Sequence, residues 1–149
     1  MFEDDIFSTY GYLTAHELGF KPLFAGYGGI GLTMGGNGGV PSALSLYDYC
    51  FEGAPVTYGH PDYILINYGT NDHHWKQAEE YAASYGRLLE HIVSVHPDSK
   101  IIVLTGFSDV FPRETESLVD EFNRTHGTDI FFIDSTGCSP CTRSVMDTE

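Results

Sequence analysis

An α/β fold built on a parallel sheet is what this sequence predicts, on three observations. Asp62–Tyr68, Lys100–Leu104 and Ile130–Ile133 are short, nearly continuous apolar runs, the composition of strands buried on both faces. Between them lie two stretches with helical periodicity. Alternation of such strands with helices requires crossover connections, and therefore a parallel sheet expected to be covered on both sides.

Each element has a local reason. Ser8 is placed to cap a helix running to about Leu18, which Gly19 stops. Leu23 to Ala25, bounded by Pro22 and Gly26, reads as a short strand. Residues 26 to 39 hold eight glycines, too many for a packed element. Pro41 suits the first turn of a short helix towards Phe51. Asp62–Tyr68 is the next strand and ends at Gly69. A helix is expected from about Lys76 to Val95, with Tyr81, Tyr85, Leu88, Leu89, Ile92 and Val95 on one stripe. Glu79, Glu80, Arg87 and Glu90 fall on its opposite, solvent face. Lys100–Leu104, a helix from about Arg113 to Thr125, and Ile130–Ile133 complete the series.

The chain has 149 residues, one domain's worth, without internal repeat or linker. Its 7 basic against 21 acidic residues give a formal charge of −14, which disfavours nucleic acid and anionic membrane as partners. The 10 Tyr and 10 Phe distinguish it from a disordered acidic tail. No run of about 18 apolar residues is present to span a bilayer. Met1-Phe2-Glu3-Asp4-Asp5 has neither the basic nor the apolar region of a signal peptide, which favours a cytoplasmic location. Cys50, Cys138 and Cys141 are odd in number, unlike a disulfide framework. The Cys138-Ser139-Pro140-Cys141 spacing lacks both a following helix and a second ligand pair, so neither redox nor zinc chemistry is expected. Asn123-Arg124-Thr125 is a formal glycosylation sequon.

Ligands of parallel sheets bind beyond the carboxyl ends of the strands. Two unusual segments stand there: Gly26-Tyr27-Gly28-Gly29-Ile30-Gly31-Leu32-Thr33, and Asn67-Tyr68-Gly69-Thr70-Asn71-Asp72. Glycine lets backbone N–H groups turn outward, and asparagine supplies an amide donor. Together these are the components of an oxyanion hole, although strand-terminal Gly and Asn are also ordinary turn residues. Gly26-x-Gly28-x-x-Gly31 also meets the dinucleotide fingerprint, with Asp48 near the position of a ribose-binding acid. More glycine follows instead of a helix, which weakens that reading; if it held, a nucleotide would shift the melting temperature. His73 and His74 are adjacent and diverge in any regular element, which disfavours a shared metal. No metal or cofactor is expected.

On these two blocks the sequence resembles the SGNH, or GDSL-like, hydrolases, over essentially residues 8 to 136. The resemblance implies a flavodoxin-like three-layer sandwich of strand order 2-1-3-4-5. It further implies serine-dependent cleavage of carboxylic esters, and the glycine stretch most resembles members acting on acetylated carbohydrates. Gly69-Thr70-Asn71-Asp72 is similar to the family's G-x-N-D block, so Asn71 takes the role of side-chain oxyanion donor and Gly29 that of backbone donor. Gly28, Asp72 and His73 are the accompanying binding residues. Two departures accompany the match. The family's Gly-Asp-Ser strand, upstream of the first helix, has no counterpart before Ser8, so the first strand is expected to be missing. Its absence would leave strand edges unpaired, with self-association the expected consequence. The family's C-terminal D-x-x-H-P block is replaced by residues 138–149. Back-translated with chosen wobble bases and read from the third base, that tail gives QPLHPLRDGHR, so a frameshift near Cys138 is the expectation. The chain is thus expected to keep the oxyanion-binding half of an esterase site, with a small-molecule ester as ligand and negligible turnover. The alternative is a non-catalytic carbohydrate- or ligand-binding remnant of the same fold.

Overall fold

In a computed structural model, which describes residues 5–72, 78–106 and 110–137 (at Phe51 the backbone only), Lys100–Leu104 is the central strand of a three-stranded parallel sheet. The elements are α1 (Tyr10–Glu17), α2 (Ala43–Leu46), β1 (Tyr49–Phe51), β2 (Ala54–Pro55), β3 (Tyr63–Ile66), α3 (Ala78–Val95), β4 (Lys100–Leu104), α4 (Pro112–His126) and β5 (Phe131–Ile133). The order is β3-β4-β5, with Leu65 paired to Ile102 and Val103 to Phe132. Two crossovers running in the same direction put both connecting helices on one face. There α3 and α4 lie side by side.

Helix α3 buries Tyr81, Ser84, Tyr85, Leu88, Leu89 and Ile92, spaced at one face of a 3.6-residue repeat. Helix α4 contributes Thr115, Val119 and Phe122. Beneath them sit Ile66, Ile101 and Val103. Gly127 ends α4 in the left-handed conformation, its N–H donating to Asn123 O. The Asn123 side chain donates to Ile130 O and accepts from Ile130 N and Thr128 Oγ1. The sequon asparagine thus staples α4 to the start of β5.

Several expectations are corrected. Among the described residues the second face of the sheet is only partly covered: Tyr63, Leu65, Phe131 and Ile133, on the side away from α3 and α4, keep 45 to 50 % of their surface exposed, with the Phe20 ring stacked on Tyr63 at 5.2 Å between centroids. A strand apolar on both sides does not reveal which side is filled, and α1 buries none of its residues. Val95, on the expected stripe of α3, is also exposed, one turn beyond the last buried position. Leu23–Ala25 forms no strand, having no ladder partner among the described residues. The helix expected from Pro41 lasts one turn; Tyr49–Phe51 then turns at Glu52-Gly53 into an antiparallel hairpin. Gly53 has φ +74° while Glu52 is not at positive φ, so the turn is neither the I′ nor the II′ form, and the register shifts between Tyr49 and Phe51. Thr9 rather than Ser8 caps α1, since Ser8 lies in the preceding 3₁₀ turn and donates to Asp5.

Candidate active site

The two predicted blocks meet beyond β3. Tyr27 to Ile30 is a tight turn, with Ile30 N–H donating to Tyr27 O at 3.2 Å and Gly29 at φ +75° in its third position. Gly28 and Gly29 are exposed, and Gly28 O accepts from Asn37 N–H at 2.9 Å. From Ile30 to Leu32 the loop dives into the protein. On the other side, Asp72 N–H donates to Gly69 O, closing a turn that starts at a glycine with φ +123°.

Two side chains of that turn tie the blocks together. Asn71 Nδ2 donates to Ile30 O at 2.8 Å. Its amide carries two hydrogens, and Ile30 takes one of them. The Asp72 carboxyl accepts from Leu32 N–H (3.1 Å), Thr33 N–H (2.8 Å) and Thr33 Oγ1 (2.7 Å). Gly31 lies against it: a Cβ there would come within 2.7 to 2.9 Å of the carboxyl atoms. Its glycine is therefore required by close approach and not by an unusual φ.

Asn71 and Asp72 are thus bound to Ile30, Leu32 and Thr33, the residues that follow Gly28 and Gly29 in the loop. Asp72, expected among the binding residues, is 0 % exposed; it is a clasp that holds the loop, because its acceptors are all turned onto backbone and Thr33. His73 lies outside the described residues, as do Cys138 and Cys141. Thr33, the last residue of the glycine block, gives Asp72 both its N–H and its hydroxyl, a role its place in the block did not reveal. Asp48, the acid of the dinucleotide reading, is bonded instead to His91 Nε2 at 2.9 Å. The glycine run leads into a 3₁₀ turn and the four-residue α2, so no long helix N-terminus opens there. Among the described residues no three His, Cys, Asp or Glu side chains cluster as metal ligands, and no helix is long and apolar enough to cross a membrane.

Burial shapes the phenols around the loops. Tyr68, following Asn67 at the end of β3, is pushed above its ordinary range by burial. Tyr81 is pushed up to about 12 by burial, against the opposing hydrogen bond to Thr115.

The fold is that of known proteins. A family two carbohydrate esterase from Clostridium thermocellum, in complex with cellohexaose, superposes with TM-score 0.77 at 23% identity over 86% of this chain and 43% of that one. One from Cellvibrio japonicus superposes with TM-score 0.67 at 22% identity, over 84% of this chain and 41% of that one. The chain has the fold of the family two carbohydrate esterases. The esterase resemblance extends to sequence: the cellulase/esterase CelE of Acetivibrio thermocellus is 25% identical over 145 residues, 88% of this chain. No protein-family model matches the sequence. The chain spans 18% of CelE and less than half of each of the two esterase structures. Within the esterase fold, β3-α3-β4-α4-β5 is the part that carries the Asn71 turn, and the glycine loop is bound onto it by Asn71 and Asp72.

Proposed function

We propose that this chain carries the oxyanion-binding half of a site for esters of carbohydrates, with the Gly29 N–H and the second hydrogen of the Asn71 amide as donors. The observation that carries the reading is the Asn71–Ile30 bond, which holds the side-chain amide against the residue that follows Gly29. When a nucleophile adds to an ester carbonyl, negative charge develops on its oxygen. Donors already fixed in place stabilise that charge without reorganising, and removal of one typically costs about 100- to 1000-fold in rate. The Asp72 clasp supplies the fixing. Binding of the same ligands without hydrolysis is the second reading.

The test is an amide-detected NMR titration with an acetylated cello-oligosaccharide, run beside an acetate-release assay. Saturable shifts at the Gly29 amide and the Asn71 side-chain NH2, lost in Asn71→Ala, are expected, with negligible release. Shifts confined to other regions would overturn the site. Turnover that Asn71→Ala abolishes and mock-purified controls lack would show the chain to be a complete catalyst.

The half-exposed sheet face and, among the described residues, the outer edge of β3 support self-association of the chain as well. Sedimentation, described below, tests it.

A further inference from the structure

Between the glycine loop and the β1–β2 hairpin lies a cavity of about 270 Å³. Six aromatic rings line it: Phe24, Tyr27, Tyr47, Tyr49, Tyr58 and Tyr68. Ile30, Leu46 and Val56 add aliphatic surface, and among the described residues no charged side chain or histidine contributes to its wall. Two of the phenols are turned away to backbone. Tyr27 OH donates to Cys50 O, and Tyr58 OH donates to Tyr47 O at 2.6 Å. The wall thus offers ring faces beside Tyr47, Tyr49 and Tyr68, whose hydroxyls those two bonds do not engage.

The walls are held from behind. Tyr47 and Tyr58 pack with centroids 5.2 Å apart, and the His91 ring meets Tyr47 edge-on while its Nε2 is bonded to Asp48. Burial and the neighbouring Tyr58 push Tyr47 up to about 12, so its phenol is neutral across the physiological range. A planar aromatic ring gains from offset or edge-on contacts with such hosts. The volume lies near the lower end of small-molecule pockets, about 300–1,000 Å³, which suits one ring on a short tether.

The cavity shares a wall with the candidate oxyanion site, because Ile30 lines it while its carbonyl accepts from Asn71. We infer that the cavity receives the aromatic ring of a benzoyl- or cinnamoyl-type ester, whose carbonyl then lies at Gly29 and Asn71. The inference rests on the ester reading above, and deepens it from a small acyl group to an aromatic one.

Binding of methyl 4-hydroxycinnamate, followed by amide-detected NMR on the intact chain, tests it. Methyl 3-cyclohexylpropanoate is the non-aromatic control and cellobiose the sugar control. Saturable shifts at Tyr49, Cys50 and Val56 are expected, at least tenfold tighter than for either control. Tyr49→Ala removes a ring that is already 43 % exposed, and Val56→Phe fills the space. Each should weaken binding at least tenfold with the amide spectrum otherwise retained. No saturation up to the solubility limit, or a Kd within twofold in both folded variants, would overturn the inference. An acetyl ester that shifts Gly29 and Asn71 while the cinnamate shifts nothing would overturn it and leave the ester reading standing. Shifts in the cavity with none at Gly29 or Asn71 would remove the ester reading and leave an aromatic-binding site.

Discussion

Gly31→Ala adds one methyl group, and the structure says where its cost arises. At Gly31 the backbone is in a conformation open to any residue, so alanine brings no φ penalty. Its Cβ would instead stand 2.7 Å from Asp72 Oδ1, which essentially no real Cβ does. The carboxyl must retreat, and with it the three bonds from Leu32 and Thr33. Overpacking of this kind costs about 1–3 kcal/mol. Asp72→Ala removes the carboxylate and strands the buried Leu32 N–H and its Thr33 neighbour, for about 3–5 kcal/mol from bonds to a charged acceptor. The double variant has no carboxyl to strike, so adding Gly31→Ala to Asp72→Ala should cost less than about 0.5 kcal/mol, the scatter of independent sites. Urea unfolding of the four proteins, with matched m-values, yields the interaction energy directly. A cycle that closes additively, with Gly31→Ala equally costly in both backgrounds, would refute the clasp. Gly31→Ala with wild-type stability would refute the close approach itself.

The remaining predictions concern groups outside the clasp. His96 is 5 % exposed, and neither ring nitrogen has a hydrogen-bond partner among the described residues. Its pKa is lowered from 6.5 by burial and by the nearby His60 and His91. The unfolded chain therefore takes up this proton first, so stability is intact above about pH 6.5 and falls as pH drops below that value until the folded-state pKa is passed. His96→Phe keeps the edge-on packing against Tyr47 and Tyr58, so melting temperature between pH 7.5 and 5.5 should fall less steeply than in wild type; parallel curves would contradict the assignment. On the open sheet face, Tyr63, Leu65, Phe131 and Ile133 are each about half exposed. Covering them offers about 1 kcal/mol apiece, roughly half of what burial of a whole large apolar side chain yields. Against the cost of association this supports only a weak dimer, strengthened by salt that screens a formal −14. Sedimentation equilibrium should show association rising with NaCl and suppressed in Leu65→Lys/Phe131→Lys; a monomer at all concentrations would remove the proposal.

What the sequence made legible was whatever has a local signature. Lys100–Leu104 was delimited to the residue because charge and turn residues bracket a β-branched run. The stripe of α3 from Tyr81 to Ile92 followed from spacing alone. The Asn71 block was readable as the end of a strand because it follows β3, whereas the Gly29 block meets it although the Leu23–Ala25 segment before it forms no strand. Other features depend on partners distant in the chain. Leu23–Ala25 has strand composition, but a strand exists only through its neighbour. Asp72 could be read as facing a ligand or the loop, and only the 40-residue contact to Leu32 decides.

That contact also explains why the proposed oxyanion donors and the aromatic cavity depend on one loop. A loop with eight glycines has a large conformational entropy to lose, so its shape must be imposed from outside. Asp72 and Asn71 impose it on the side of β3, and Ala43 N–H, bonded to Gly31 O at 2.9 Å, imposes it on the side of α2. Ala43 lines the cavity, as do Tyr27 and Ile30 from the loop itself. A perturbation that frees Gly31 should therefore loosen both the donor at Gly29 and the cavity wall at Ile30. In Asp72→Ala, amide shifts from the cinnamate probe and from the acetylated sugar should weaken together. Loss of one with the other intact would mean that the two share a loop but not its anchoring.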